Sequence, residues 1–299
     1  MLGIVILNYK SYSDTIKCVD SITETTVNTD YKIYIVDNDS PDSSYERLRK
    51  IYKNNHKIQV IQSGKNGGYS FGNNIGSKQA IQDGCDAILI SNTDIIYFKE
   101  TIDSMYRKLF KNNDIAVVGP NMIDSSDKYC QITILPPSIK DYWMSKKPFS
   151  LFSKKNKEKS KYTIDYIFRG MVQGSSYLIK SDTLEKIGFF DENVFLFGEE
   201  LILANKLNKE NMDTLIDSKA LVLHDHSTTI SKEGIAFERY HMYYSTIYVL
   251  RRYAGCSNIE MSFAILYSLI FYGLKSLGNK AYRQYLPKLT ERMISLYDI

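Results

Sequence analysis

Tryptophan is almost missing from this chain, one residue against 24 tyrosines. Tyrosine carries an apolar ring with a polar tip, so the excess suits wet clefts and interfaces as well as cores. Cysteine is scarce too. Cys18, Cys85, Cys130 and Cys256 form no C-x-x-C pair, which signals neither a zinc site nor a disulfide framework and reads as reduced cytosolic thiols. A formal charge of +4 is too weak to argue nucleic-acid binding, though it is compatible with anionic ligands or an anionic membrane surface. Long apolar runs are lacking. The opening MLGIVILNYK is too short and wrongly flanked for a signal peptide and reads as a first buried strand. The late run at 261–274 falls short of the roughly 20 residues a spanning helix needs, so the expectation is a soluble or peripheral protein. G-x-G-x-x-G and a lysine-tipped P-loop are both absent, which excludes a dinucleotide fingerprint.

What is present has a regular beat. Apolar runs rich in β-branched residues occur at 2–7, 32–36, 58–61, 87–91 and 115–119, separated by amphipathic stretches near 13–24, 43–54, 71–83 and 99–112. Strand and helix in alternation predict a parallel sheet covered on both faces. Ligands then bind outside the carboxyl ends of the strands, where the polar residues gather: Asn8, then Asp37-Asn38-Asp39-Ser40, Asn66-Gly67-Gly68 and Asn92-Thr93-Asp94. The beat breaks after 120. Residues 144–161 hold seven lysines and one glutamate without apolar periodicity, either a solvated loop or a membrane-facing basic one. A strand is expected over 171–180, a helix over 197–211 and a strand over 214–227 ending in a polar cluster, followed by an aromatic, basic helical tail over 236–299.

Several of these strings have two readings. Asn92-Thr93-Asp94 either caps the helix at 99–112 or offers a carboxylate to a hard divalent ion, which takes oxygen ligands together with substrate phosphates. Residues 37–42 are a helix N-cap or a set of acceptors for a base and ribose. Glu199-Glu200, after Gly198 at a helix start, either complements the dipole or holds an ionised base. His224 and His226, two of four histidines, share one face of an extended segment.

In order, the runs VILNYKSYSDTIKCVDSI, YIVDNDSPD, NGGYSFGNNIG, ILISNTDI, GSSYLIKSDTLEKIGFFDENVFLFGEEL and LVLHDHS resemble the family 2 glycosyltransferases of the GT-A fold. Within them they resemble the rhamnosyltransferase-like branch of bacterial cell-surface polysaccharide synthesis. The resemblance covers about residues 2 to 230. It implies an α/β fold with a mostly parallel central sheet flanked by helices and a helical C-terminal extension. The division it suggests is a catalytic domain over 1–235 (nucleotide-sugar half 1–120, acceptor half 121–235) and an extension over 236–299. Carried onto this sequence, it implies that Leu7, Asn8, Asp37, Asn38 and Asp39 hold the base and ribose, and that Asn66, Gly68 and Asn74 line the diphosphate-sugar side. Asn92-Thr93-Asp94 takes the place of Asp-x-Asp, with Asp94 and His224 as ligands of Mg²⁺ or Mn²⁺. Gly174 and Ser175 lie in the strand below the acceptor. Glu200 is the implied catalytic base, with Glu199 as the alternative.

Asn92 stands where the family pattern has Asp, and Glu200 where it has Asp, an added methylene. The Gln-x-x-Arg-Trp motif of processive synthases is missing, which implies one sugar per binding event. The implied reaction is inverting transfer by single displacement, from dTDP-rhamnose or a UDP-hexose to a glycan or lipid-linked glycan, with no nucleic-acid partner. The implied location is cytoplasmic. For the tail, packing as a subdomain or homodimer surface and peripheral contact with the inner membrane face both stay open. A non-catalytic GT-A protein that binds a sugar nucleotide or polysaccharide is the competing reading. A nucleotidyltransferase would need a Gly-rich, basic loop after strand one, which NYKSYSD lacks. The spatial expectation is that Asp94 and Glu200 converge on one cleft.

Overall fold

The first apolar run forms β1 (Leu2–Asn8), whose side chains alternate between faces. Leu2, Ile4 and Ile6 enter one core and Val5 the other. The computed structural model describes residues 1–145, 161–225 and 232–298. β1 pairs in parallel with β2 (Tyr31–Asp37) and β4 (Ala87–Asn92), and β2 with β3 (Ile58–Gln62). The crossovers are α1 (Tyr12–Thr25), α2 (Ser44–Tyr52) and α3 (Tyr69–Gln82). Cys18, Val19 and Ile22 of α1 pack on the first face and Ala80 of α3 on the second. Helices on both faces explain why these strands read as continuous apolar runs.

The second half departs from the expected parallel pattern. β6 (Ile115–Asp124) follows α4 (Thr101–Leu109), and β10 (Ser176–Lys180) inserts antiparallel between β4 and β6. β11 (Asp213–His224) lies parallel to β6, and its far end pairs antiparallel with β5 (Ile95–Tyr97). β8 (Tyr166–Phe168) adds antiparallel to β11. The sheet order is therefore β3-β2-β1-β4-β10-β6-β11-β5. A buried strand is apolar whichever way it runs, so composition carries no direction. The stretch expected as one strand over 171–180 splits into β9 (Met171–Val172), paired with β7 (Thr133–Ile134), and β10. Between them, Gln173-Gly174-Ser175 interrupts the ladder.

α5 (Ile139–Met144) leads to the lysine-rich stretch, of which 146–160 lies outside the described residues. After β10 come α6 (Ser181–Lys186) and α7 (Glu199–Lys209). The tail forms α8 (Lys232–Tyr253), α9 (Asn258–Gly278), α10 (Lys280–Ile294) and a short 3-10 turn. These helices share a third core that includes Tyr244, Ile247, Met261, Tyr272 and Leu289, and Ile202 of α7 joins it. Many of the tyrosines lie here. Tyr240 stacks on Tyr285 at 5.3 Å, and the Arg292 guanidinium sits 3.6 Å from the Tyr244 ring centroid. One expectation needs correction. α9 continues past the apolar run at both ends to 21 residues, and with a mean hydropathy of 1.3 over its most apolar 18 residues it is long and apolar enough to cross a membrane by length and composition.

Candidate active site

The carboxyl ends of β1 and β2 are tied by their own side chains. Asn8 donates to Asp37 Oδ2 at 2.6 Å, and Thr15 donates to Asn8 Oδ1 at 2.9 Å. Ser40 closes the turn with its N–H on Asp37 Oδ1 (2.9 Å) and its hydroxyl on Asp37 Oδ2 (2.7 Å). Asn8 and Asp37 are both fully buried. Asp37 therefore shapes the turn, while Asp39 stands exposed at its tip with φ +60°. Leu7 is half-buried beside them.

One strand over, Asn38 donates to Asn66 Oδ1 (3.0 Å) and to the Gly68 carbonyl (3.1 Å). Gly68 has φ +89°, and a Cβ there would lie 2.2 Å from the Phe195 carbonyl oxygen. Only glycine lets the start of α3 come this close to the loop before α7. Asn74, by contrast, is turned away. Its amide donates to the Phe190 carbonyl and to Glu192, and its oxygen accepts the Phe190 N–H. It fastens α3 to the 190 loop rather than facing the cleft.

Asn92-Thr93-Asp94 is not a cap for α4. β5 intervenes: Asn92 ends β4, and Thr93-Asp94 makes the turn into β5. Because β5 pairs with the end of β11, the turn meets His224: its Nε2 lies 3.2 Å from Asp94 Oδ2. Asp94 Oδ1 is buried without a hydrogen-bond partner among the described residues. An unpartnered carboxylate oxygen beside an imidazole suits a hard divalent ion. No group of three or more His, Cys, Asp or Glu clusters among the described residues, so oxygens of a phosphate ligand would complete such a shell. His226 lies outside the described residues.

The acidic pair separates by helical geometry. Consecutive residues of an α-helix point about 100° apart, so only one of the two carboxyls reaches the strand break. Glu200 Oε1 accepts the Gly174 N–H at 3.1 Å. Glu199 turns into a small cavity lined by Ser70, Phe190, Ile202 and Lys206, and its Oε1 is buried without a partner. Burial, then the neighbouring Glu200 charge, pushes its carboxyl up to about 8. Both effects favour the protonated form of Glu199.

The strand break joins everything. Gln173 Nε2 lies 3.5 Å from His224 Nδ1, Gly174 donates to Glu200, and the Ser175 carbonyl accepts the Asn92 N–H at 2.9 Å. The Tyr69 hydroxyl donates to the Gly174 carbonyl at 2.5 Å. Three consecutive residues thus touch the Asp94–His224 pair, the Asn92 turn and the Glu200 carboxylate. Sequence reasoning missed Gln173 and Tyr69. A polar triplet inside an apolar strand, and a tyrosine following paired glycines, were the available signals.

Residues 3–173, more than half the chain, match the family described as Glycosyl transferase family 2. The low-salt glycan biosynthesis hexosyltransferase Agl10 of Haloferax volcanii is 25% identical over 213 residues, 71% of this chain, and the match spans 63% of that relative's length. Among solved structures, GalNAc-T7 with UDP, GalNAc and Mn²⁺ is similar with a TM-score of 0.62 at 15% identity, covering 84% of this chain and 47% of that one. A mannosyltransferase of Pyrobaculum calidifontis in complex with GDP-Man and Mn²⁺ gives 0.56 at 11% identity, covering 99% and 86%. S. aureus TarS with UDP gives 0.52 at 14% identity, covering 84% and 70%. The fold of this chain is GT-A.

Proposed function

The chain belongs to glycosyl transferase family 2, and from that premise we propose that it moves one sugar from a nucleotide-diphosphate donor to a glycan or lipid-linked glycan acceptor, with inversion. The observation that carries this is the Gln173–Ser175 break, which contacts both the Asp94–His224 pair and Glu200. In this reading Glu200 is the base. Its Oε1 is held by the Gly174 N–H, so Oε2 takes the acceptor proton as the acceptor oxygen bonds to the anomeric carbon. The bond from that carbon to the diphosphate oxygen breaks, and the electron pair leaves with the nucleoside diphosphate. A positioned base of this kind contributes a factor of roughly 10² to 10⁴.

Asp94 and His224 would hold Mn²⁺ or Mg²⁺, which supplies positive charge against the departing diphosphate. Support comes from the unpartnered Asp94 oxygen and from two similar structures solved with Mn²⁺. Asn92 and Thr93 flank the diphosphate. Asp37 keeps the turn in shape, while Asp39 and the Leu7–Asn8 main chain face the base and ribose. Asn38, Asn66 and Gly68 wall the donor side. Glu199 faces the cavity under α3, which leaves one carboxylate at the strand break and fits single displacement without a covalent intermediate. The donor is dTDP-rhamnose or a UDP-hexose, used on the cytoplasmic side in surface polysaccharide assembly.

The test is incubation with Mn²⁺, dTDP-rhamnose and a set of UDP-hexoses, with lipid-linked and free glycan acceptors, read by mass spectrometry of products and NMR of the new linkage. A transferred sugar with inverted anomeric configuration is expected. Binding of every donor without turnover would instead mark a GT-A protein that only binds sugar nucleotides, a reading the Asn92 and Glu200 departures favour.

A further inference from the structure

Six large apolar residues of α9 lie open: Ile259, Phe263, Leu266, Ile270, Leu274 and Leu277 are each 49% to 76% exposed. Their intervals of three and four put them on one side of the helix. The opposite side, including Met261, Ala264, Ile265 and Tyr272, is buried in the tail core. The outward side of a helix on a soluble protein is ordinarily polar. Here it makes one continuous apolar strip, on the order of several hundred Å², at or above the largest patch a monomer ordinarily leaves open.

The strip has an aromatic edge. Tyr267 packs 4.5 Å from Phe271 and 5.9 Å from Trp143, the chain's one tryptophan. Amphipathic rings of this kind collect where an apolar phase meets water. It also has a cationic end. Arg283 donates to the carbonyl of Leu277, the last residue of the strip, and Lys275 and Lys280 are exposed nearby in sequence. The one acidic residue of α9, Glu260, is engaged with Ser257 in the helix cap.

Charge decides what covers the strip. Lys275, Lys280 and Arg283 are all exposed at one end of the strip, and Glu260, the one carboxylate of α9, is taken up in the helix cap. A second copy of the same face would therefore offer these cations no free counter-charge from its own α9. Anionic headgroups supply that charge along with an apolar phase for the strip. We propose that the open face of α9 seats the protein on an anionic lipid surface, lying flat in the interface. Crossing the bilayer would strip Met261, Ala264 and Tyr272 from their packing, including the Tyr272–Tyr282 contact at 5.0 Å.

The full-length protein is sedimented with vesicles of phosphatidylglycerol mixed with phosphatidylcholine, and with phosphatidylcholine alone, beside the double substitution Leu266→Glu, Ile270→Glu. The mixed vesicles should bind the protein at least about tenfold more tightly than the neutral ones. The double substitution should weaken that binding by at least about tenfold while thermal melting and sedimentation without lipid stay unchanged. Two results would overturn the proposal: vesicle binding untouched by the substitutions, or no vesicle binding and a wild-type dimer that the substitutions split. Neither readout depends on sugar transfer, so failure here leaves the proposed chemistry standing, and the reverse.

Discussion

The amide N–H of Gly174 donates to Glu200 Oε1, nitrogen to oxygen 3.1 Å, and a Cβ on Gly174 would lie 2.7 Å from the same oxygen. Glycine at 174 is therefore what lets the α7 carboxylate rest against the strand break. Gly174→Ala should push the carboxylate off this hydrogen bond. The expected result is a fall in kcat of about ten- to a hundredfold, within the range a general base contributes, with UDP affinity unchanged by calorimetry. An alanine variant with wild-type kcat would show that the bond does not set the position of Glu200.

Glu200→Gln should lower transfer by at least about a hundredfold and leave nucleotide binding intact. Glu199→Gln should stay within a few-fold of wild type, because its carboxyl faces the cavity under α3. Steady-state rates of the two variants, measured side by side, decide between the carboxyls. The reverse order of loss would make Glu199 the base.

Tyr69 is the third support. Its hydroxyl fixes the peptide that follows Gly174 and, through it, the direction of the Gly174 N–H. Tyr69→Phe removes one hydrogen bond, a change of about 1 kcal/mol, so kcat should fall about five- to tenfold with KM for the donor unchanged. A purely structural role would lower melting temperature and leave kcat for the folded enzyme unchanged.

Stability should carry the mark of Glu199. Its folded carboxyl is raised to about 8 from an ordinary 4.5 by burial first and the Glu200 charge second. Below pH 4.5 the acid is protonated in both folded and unfolded chains, and folding is not penalised. As pH rises toward 8 only the unfolded chain ionises, so stability is progressively lost, and above 8 the loss is complete. Glu199→Gln should therefore raise the melting temperature at pH 8 and leave it nearly unchanged at pH 4, by calorimetric scans across that range.

Asp94→Ala and His224→Ala should each weaken the Mn²⁺-dependent part of UDP binding. Removing a ligand or its close partner at such sites commonly costs ten- to a hundredfold in metal affinity. Titration of Mn²⁺ at saturating UDP, read by thermal shift, measures it. A midpoint equal to wild type in both variants would remove the pair from the metal.

The sequence was readable where an apolar run ends in a polar cluster. Asn8, Asp37 and Asn92 stand at strand ends, as their position after β-branched runs implied. Direction was not readable: β10 and β5 run against their neighbours, and nothing in SYLIK or IIY says so. Side-chain allegiance was also hidden. Asp37 and Asn74 look like ligand contacts in a string of polar residues, yet their partners are Asn8, Ser40, Phe190 and Glu192, all fixed by tertiary closure. The acidic pair looked interchangeable until the start of α7 fixed which carboxyl meets Gly174. The run at 261–274 looked too short because its helix takes in mixed polar and apolar residues at 258–260 and 275–278 for its remaining turns.

The interruption between β9 and β10 has a mechanical consequence. The gap between the Asp94–His224 pair and the Glu200 carboxylate is spanned by three covalently linked residues, so thermal breathing of the outer helices carries both ends along as one body. Loops on the donor flank or the acceptor flank can be exchanged without retuning that gap. A single residue inserted among Gln173, Gly174 and Ser175 would put both ends out of step at once.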